Sequence, residues 1–533
     1  MRIDRLHIEN FKKFKEQDFD FHSQFTLLVG ENGSGKTTVL DALAVAAGVW
    51  LVEAPDTTLY NSGRNILPTE VRLEPEGRGD RIQFSERRPV VVKATGKIGE
   101  HENVEWARQI HPDGKRTSNL KAKEALAYVK EIYTRDGSGE RVLCPVLAYY
   151  GAGRAWLSSN ERVPKESKTN GPARRWAAFY DCFNERIRFA ELQKWFLGET
   201  VAAGNRGGKM RPGFEVVKRA ILRCVPDAEN IWYDHDRTQI VFSIAGNSQP
   251  FDNLSAGQRM MLAMIADLAI KAVTQNAFLL PPDELGAEDE PLPRVLRETP
   301  GVVLIDELDV HLHPKWQRRV VEDLRTTFPA VQFIATSHSP FVIQTLREGE
   351  LRPLDAQPIP QTDNLSVEQI AQGLMGVERP EVSPRYHEQV AAAKDYLLTL
   401  EQAAKSPEEK LSEFEQRLAS GIAPYADNPA FQAFLELKHE GKLGSRRQGL
   451  FDVFIFGIPA EKKEEIFSSL QKVGLRVGAG IGLAIIRRIL EGSREPLLRS
   501  ATKADAEVVK QELEQAGAKV QIESSNEGGA IVG

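Results

Sequence analysis

An apolar pentapeptide, Phe25–Val29, runs directly into a glycine-rich loop, GENGSGKTT (Gly30–Thr38), and the apolar run Ala42–Val52 follows. Strand, loop and helix in that order demand an α/β fold, because a strand that is apolar on both sides must lie in a covered, mostly parallel sheet. The loop matches G-x4-G-K-T in full at Gly30, Gly35, Lys36 and Thr37. Glycines let backbone N–H groups turn inward around a β-phosphate, and the helix N-terminus adds a favourable dipole. Asn32, Gly33, Ser34, Gly35, Lys36, Thr37 and Thr38 are therefore the expected nucleotide cradle. Lys36 would neutralise β/γ oxygens, and the Thr37 hydroxyl would take a Mg²⁺ ion. ATP and Mg²⁺ are the implied cofactors. A fortuitous glycine turn has about one chance in fifty here, since a strand precedes the loop and a helix follows it.

Three elements recur in order more than two hundred residues later: LSAGQR (Leu254–Arg259), LIDE (Leu304–Glu307) and TSHSP (Thr336–Pro340). Asp306 and Glu307 end the apolar strand GVVLI. Asp306 would hold Mg²⁺, directly or through water, and Glu307 would polarise the attacking water. Ser255, Gly257 and Gln258 form a turn at a helix N-terminus, a second anion site. His338 ends the next core strand and can donate a hydrogen bond to a γ-phosphate. A lone His at a strand end is usually structural, and the Thr-Ser-His-Ser-Pro context raises the functional reading above that base rate. This ordered set resembles the ATP-binding-cassette class of ATPase, including its SMC-like branch. In that class the signature turn reaches the γ-phosphate of a second chain, so the resemblance implies a head-to-tail homodimer or a multiple of dimers. DELDVHLHP aligns with the segment where such cassettes carry a dimer-contact Asp, and His313 occupies that position. His311 and His313 also have a metal spacing, but no Cys or carboxylate cluster accompanies them, which leaves zinc about one chance in ten. Tyr150–Arg154 stands where other cassettes carry a glutamine loop.

At 533 residues the chain should hold two or more domains. The formal net charge of −6 argues against wholesale coating of nucleic acid, while Arg174–Arg175 and Arg206–Arg211 allow local contact. Charged solvent loops are the commoner explanation of such runs. Three cysteines without metal spacing suit a reducing compartment. The first residues read as a charged strand rather than a signal peptide, and Ala42–Val52 is too short to cross a bilayer. The expected location is the cytoplasm, with no membrane partner. Residues 1–380 read as the ATPase head, with a helical lobe and insertions at about 155–250. Residues 1–29 read as three strands, and Asp113-Gly114 as a hairpin turn between VEWARQI and KRTS. Residues 381–447 read as a helical appendage, and 449–524 as a small α+β domain.

VGENGSGKTT, LAYYGAGRAW, LSAGQR, LIDELDVHLHPKWQ and ATSHSPFVI together resemble the bacterial anti-phage ATPases of the AAA-21 type, the PtuA family of Septu systems, which also occurs with some retrons. The resemblance covers about residues 1–445, and ADNPAFQAFLELK (Ala426–Lys438) looks like the family's C-terminal helical segment. It implies a regulatory ATPase that assembles with a small HNH nuclease subunit and controls when that subunit cuts. A retron reverse transcriptase and its DNA are further partners that it admits. The tail, from FDVFIFGIPAEKKEEIF to AGAKVQIE, is similar to the C-terminal domain of the bacterial ribosomal stalk protein, in the order strand, helix, GxGL turn, helix, helix, strand. Gly480, Ile481, Gly482 and Leu483 are kept and Arg487 matches a basic position, while Ala484 replaces a usual Lys; a protein-interaction module is the better reading of it. The alternative for the whole chain is a DNA repair ATPase of the RecF or SMC kind, although no heptad tract long enough for a coiled-coil arm is present. An OLD-type enzyme with its own nuclease would need a Toprim pattern after residue 345, and none is found. No HNH motif occurs either, so a nuclease would have to come from another protein.

Overall fold

Every residue of Phe25–Val29 is buried because the sheet that holds it is covered on both faces. The computed structural model describes residues 1–55, 63–78, 81–155, 175–187, 189–285, 291–354, 365–377, 380, 383–405, 451–463, 466, 488–489, 496–501 and 503–524. Five parallel strands form the sheet, in the order Leu351–Pro353, Phe25–Val29, Val331–Thr336, Gly301–Ile305, Val146–Tyr150. Alternate side chains serve two different cores, as the period of 2 requires. Leu27, Ala148, Val303 and Phe333 enter one core with the helices Pro212–Cys224 and Ala256–Gln275. Leu28, Leu147, Val302, Leu304 and Ile334 enter the other.

That second core contains the helix Lys36–Ala47, in which every residue except Thr37 is buried. Such a helix is buried all round, which explains why its later turns belong to the hydrophobic run Ala42–Val52. Its far side is covered by an antiparallel sheet of Phe14–Asp20, Arg2–Phe11, Val90–Ile98 and His101–Ile110. The three strands expected in residues 1–29 are present. The hairpin at Asp113-Gly114 is less than expected. Gln109 and Ser118 form an isolated bridge, and the ladder partner of His101–Ile110 is Val90–Ile98 instead. The alternation of buried residues in Val90–Ile98 supplies a full partner face, which the polar KRTS segment lacks.

Two buried polar groups hold these layers together. Asp41, on the helix after the phosphate loop, is paired with Lys12 and with Arg64 Nη2 at 3.2 Å. Arg64 also bonds both oxygens of the buried Glu70, at 2.5 and 3.1 Å. Gln332 on the central strand spans to the first sheet, where its amide accepts from Ile3 N (2.8 Å) and donates to Ile3 O (2.7 Å). The helical lobe consists of Phe189–Gly204, Pro212–Cys224 and Ala256–Gln275, beside a three-stranded sheet of Asn247–Pro250, Gln239–Ile244 and Ala228–Asp234.

The chain divides into two compact units, Met1–Pro380 and Glu381–Gly533. The second contains a helix, Pro384–Lys405, and an antiparallel sheet with Phe451–Gly457 between Pro496–Ala501 and Lys519–Ser524. Helix Lys503–Gln515 packs on this sheet through Ala506, Val509 and Leu513. Pro496–Ala501 is a strand that the expected tail order lacks. Gly480–Leu483, Ala484, Arg487 and Ala426–Lys438 lie outside the described residues. No helix among the described residues is long and apolar enough to cross a membrane. Cys144, Cys182 and Cys224 are buried free thiols whose pKa values burial pushes up to about 12.

Two outcomes are expected. Gln332→Leu leaves both backbone groups of Ile3 short of a partner and should lower stability by roughly 2–4 kcal/mol in chemical denaturation. The native chain should resist a thiol-specific reagent at pH 8 and release all three thiols only on unfolding, because the thiolate is the reactive form.

Candidate active site

Three neighbouring parallel strands end together, and their C-terminal ends carry the phosphate loop, the carboxylate pair and the histidine turn. This is the edge where ligands of open α/β sheets bind. In the phosphate loop Gly30, Gly33 and Gly35 have positive φ (153, 80 and 107°). Gly35 is further constrained, since a Cβ there would stand 2.6 Å from the Phe14 ring. Lys13 Nζ donates to Gly33 O at 2.5 Å, so the first hairpin lies against the loop. Lys36 is buried, and its ammonium donates to Gly30 O (2.8 Å) and Glu31 O (2.9 Å). Ser34 is also buried and its hydroxyl has no hydrogen-bond partner, which suits a phosphate oxygen. Asn32, Gly33 and Thr37 are exposed on the loop surface, and Thr38 is buried beneath it.

Thr37 Oγ1 donates to Asp306 Oδ2 at 2.9 Å, which joins the loop to the acidic strand end. Asp306 Oδ1 accepts from Thr336 Oγ1 at 2.6 Å, and the same Thr336 oxygen accepts from Glu307 N at 2.7 Å. Asp306 N donates to Tyr150 O at 2.8 Å. Thr336 thus sets both carboxylate residues, and it was not singled out in the sequence. Its place as the last residue of an apolar strand, two before the histidine, was the available signal. Glu307 takes a left-handed backbone, φ 49°. Such a conformation costs a non-glycine residue roughly 1–2 kcal/mol and persists only where surrounding bonds fix it. Thr37 and Asp306 present hard oxygen donors, the kind Mg²⁺ takes in small number alongside phosphate and water. Among the described residues there is no group of three or more His, Cys, Asp or Glu side chains placed to hold a metal ion.

His338 is exposed, two residues past the end of the core strand. Its turn is tied to the carboxylate loop by Asp309, whose Oδ1 accepts from Ser337 Oγ (2.5 Å) and His338 N (3.3 Å). Ser255 and Gln258 form a capping box, with Ser255 N donating to Gln258 Oε1 (2.9 Å) and Gln258 N to Ser255 Oγ (3.3 Å). Gly257 abuts the loop after the carboxylates, and a Cβ there would stand 2.4 Å from His311 O. His313 caps the short helix Pro314–Gln317, its Nδ1 accepting from Lys315 N at 3.2 Å. Lys36, Thr37, Asp306, Glu307 and His338 therefore gather at the strand ends. Ser255, Gly257 and His313 stand on segments beside them. Of the arginine pairs, Arg174 lies outside the described residues, and Arg175 is spent on Gln275 O, Val142 O and Asp136.

Residues 5–197 match the AAA domain family AAA_23, and residues 245–344 match a second AAA domain family, AAA_21, described with the AbiEii toxin of a Type IV TA system. The chain is similar to the Septu protein PtuA of Bacillus thuringiensis, 36% identical over 408 residues covering 73% of this chain and 87% of that protein. It is also similar to the Septu protein PtuA of Bacillus mycoides (strain KBAB4), 24% identical over 358 residues; the match covers 66% of this chain and only 40% of that relative's length. The Retron Vc95 probable ATPase of Vibrio cholerae serotype O1 biovar El Tor is 22% identical over 389 residues, 66% of this chain and 73% of that protein. A shorter similarity, 31% over 113 residues, joins 21% of this chain to 84% of the large ribosomal subunit protein bL12 of Corynebacterium jeikeium (strain K411). Among solved structures, an SMC head bound to the C-winged helix domain of ScpA covers 65% of this chain at a TM-score of 0.36 and 14% identity.

Thr336→Val removes the hydroxyl that holds Asp306 and Glu307 N while keeping the strand's shape. ATP turnover should fall about tenfold or more, with the thermal midpoint little changed, in a steady-state phosphate-release assay.

Proposed function

The chain belongs to the PtuA family, and we propose that it is an ATPase with a P-loop head of the ABC/SMC kind and the regulatory subunit of an anti-phage defence complex, closing as a dimer on ATP to restrain a partner HNH nuclease. The observation that carries the site assignment is the single hydrogen-bonded chain Thr37–Asp306–Thr336–Glu307 N.

In this reading Gly33–Thr38 cradle the phosphates, Lys36 neutralises the β/γ oxygens, and Thr37 with Asp306 hold Mg²⁺. The ion supplies charge neutralisation on the β/γ oxygens when bound. Glu307 accepts a proton from a water whose oxygen attacks the γ-phosphorus. The bond from that phosphorus to the β–γ bridging oxygen breaks, and ADP leaves with the electron pair. His338 donates a hydrogen bond to the γ-phosphate and so distinguishes ATP from ADP. Ser255, Gly257 and Gln258 of one protomer complete the γ-phosphate site of its partner, with His313 at the contact between them. Gly257 allows the close approach of the signature turn to His311 on the carboxylate loop. The small domain at 449–524 serves as a protein-interaction module.

Lys36→Ala should abolish ATP binding. Glu307→Gln should retain binding, slow hydrolysis by two or more orders of magnitude, and elute as an ATP-dependent dimer in size-exclusion chromatography. Normal turnover by Glu307→Gln would refute the general-base assignment. Expression of the tagged chain with its flanking genes should co-purify a small HNH protein whose cutting is restrained by nucleotide. Recovery of a lone chain that binds DNA ends or gaps when ATP is present would replace this reading with the repair one.

A further inference from the structure

Helix Ala256–Gln275 starts at the signature turn and ends in the wall of a cavity of about 920 Å³. Helices Phe189–Gly204 and Pro212–Cys224 and the segment Ala277–Pro282 complete the walls. That volume is within the range of small-ligand sites, about 300–1,000 Å³. Gln275, the last residue of the helix, lines the cavity and is 1% exposed, and neither its Oε1 nor its Nε2 has a hydrogen-bond partner. A buried amide with both ends open is rare, because buried polar groups are otherwise paired. Glu199 is in the same state by half: its Oε1 accepts from Arg211 Nη1 at 3.3 Å, while its buried Oε2 has no partner. Arg206 and Arg211 stand against Glu199, the one carboxylate among the described lining residues, and Arg175, also in the wall, is paired with Asp136, so these groups give the cavity a net positive charge. Trp195 and Phe278 give it aromatic surface.

We propose that this cavity binds a purine nucleoside phosphate, as a second nucleotide site apart from the phosphate loop. An amide offers a donor and an acceptor side by side, the pattern that an adenine edge answers in kind. The open Glu199 oxygen calls for a donor, which a sugar hydroxyl supplies. Guanidinium forks at Arg206 and Arg211 suit a phosphate, and the aromatic walls suit the face of a base. A bare phosphate leaves Gln275 and Glu199 unanswered, and a hydrocarbon leaves all four polar groups so. The site is placed to act on the ATPase: the helix between it and Ser255 has 20 residues, a span of about 30 Å.

The test uses the full chain carrying Lys36→Ala, so that the phosphate loop does not contribute, titrated calorimetrically with AMP, GMP and inorganic phosphate. One-to-one binding of AMP or GMP is expected, weakened about tenfold or more by Gln275→Leu and by Arg211→Ala, each a loss of one hydrogen-bonding group. Gln275→Leu removes an unpartnered amide, so its thermal midpoint should equal or exceed that of the parent. Arg206→Ser, at an exposed position, is a second variant that folding cannot confound. With Lys36 intact, all three variants should still hydrolyse ATP, because none of them touches the phosphate loop or its carboxylates. Absence of AMP and GMP binding, binding undiminished by all three variants, or phosphate binding as tight as AMP overturns the proposal. Failure of the phosphate-loop reading shows separately, as ATP hydrolysis that survives Lys36→Ala.

Discussion

Burial of the helix Lys36–Ala47 between two sheets is the constraint from which the rest of this head follows. A helix buried on all sides but Thr37 cannot shift along its axis without opening the core that contains it. Its N-terminus is therefore a fixed point, and the phosphate loop that precedes it inherits that rigidity. Asp41 adds an electrostatic lock. Buried beside Lys12 and Arg64, it resists any slide that would leave a charge unpaired, a loss of about 3–5 kcal/mol. The same hairpin that provides Lys12 sends Lys13 and Phe14 onto the loop, so one element secures both the helix and the cradle.

Much of this was legible because the period and the punctuation of the chain agree. Phe25–Val29, Gly301–Ile305 and Val331–Thr336 are mostly apolar, each bounded by a turn, and each is a core strand buried along its whole length. The lateral order of the strands was not legible. Val331–Thr336 lies between the phosphate-loop strand and the carboxylate strand, and no local pattern encodes which parallel strand is central. That order is what brings Thr336 between Thr37 and Glu307. The Asp113-Gly114 turn shows the converse limit. Its residues favour a tight turn, and Gly114 N does bond His111 O at 3.0 Å, but the segment beyond has no apolar face to extend the pairing. Pro496–Ala501 became a strand through the free edge of Phe451–Gly457, a long-range opportunity invisible in six residues.

Glu307 illustrates how local strain and long-range bonding combine at the site. Left to itself a glutamate avoids φ 49°, so the conformation has to be imposed. Thr336 Oγ1 fixes its N–H, and Leu308 N donates to Thr336 O at 2.8 Å on the other side. The strand thus grips the chain immediately before and after the Glu307 side chain. The sequence identifies an acidic strand end, but only the neighbouring strand explains why the second carboxylate turns away from the sheet rather than continuing its alternation.

Asp309 carries the same logic outward. By accepting from Ser337 Oγ and His338 N it couples the loop after the carboxylates to the histidine turn, and Gln317 ties that loop to Ser339 through Ser339 Oγ at 2.7 Å. Gly257 then sets the signature helix against His311, on the same loop. The loop is thus joined to the histidine turn by hydrogen bonds and packs closely on the signature helix at Gly257, where a side chain would not fit. Rigid coupling of that kind is what allows occupancy of one small site to alter a distant surface, since packed elements move between discrete arrangements rather than deforming. The helix that leaves the signature turn ends at Gln275, so the wall of the polar cavity and the signature turn are two ends of one rigid element.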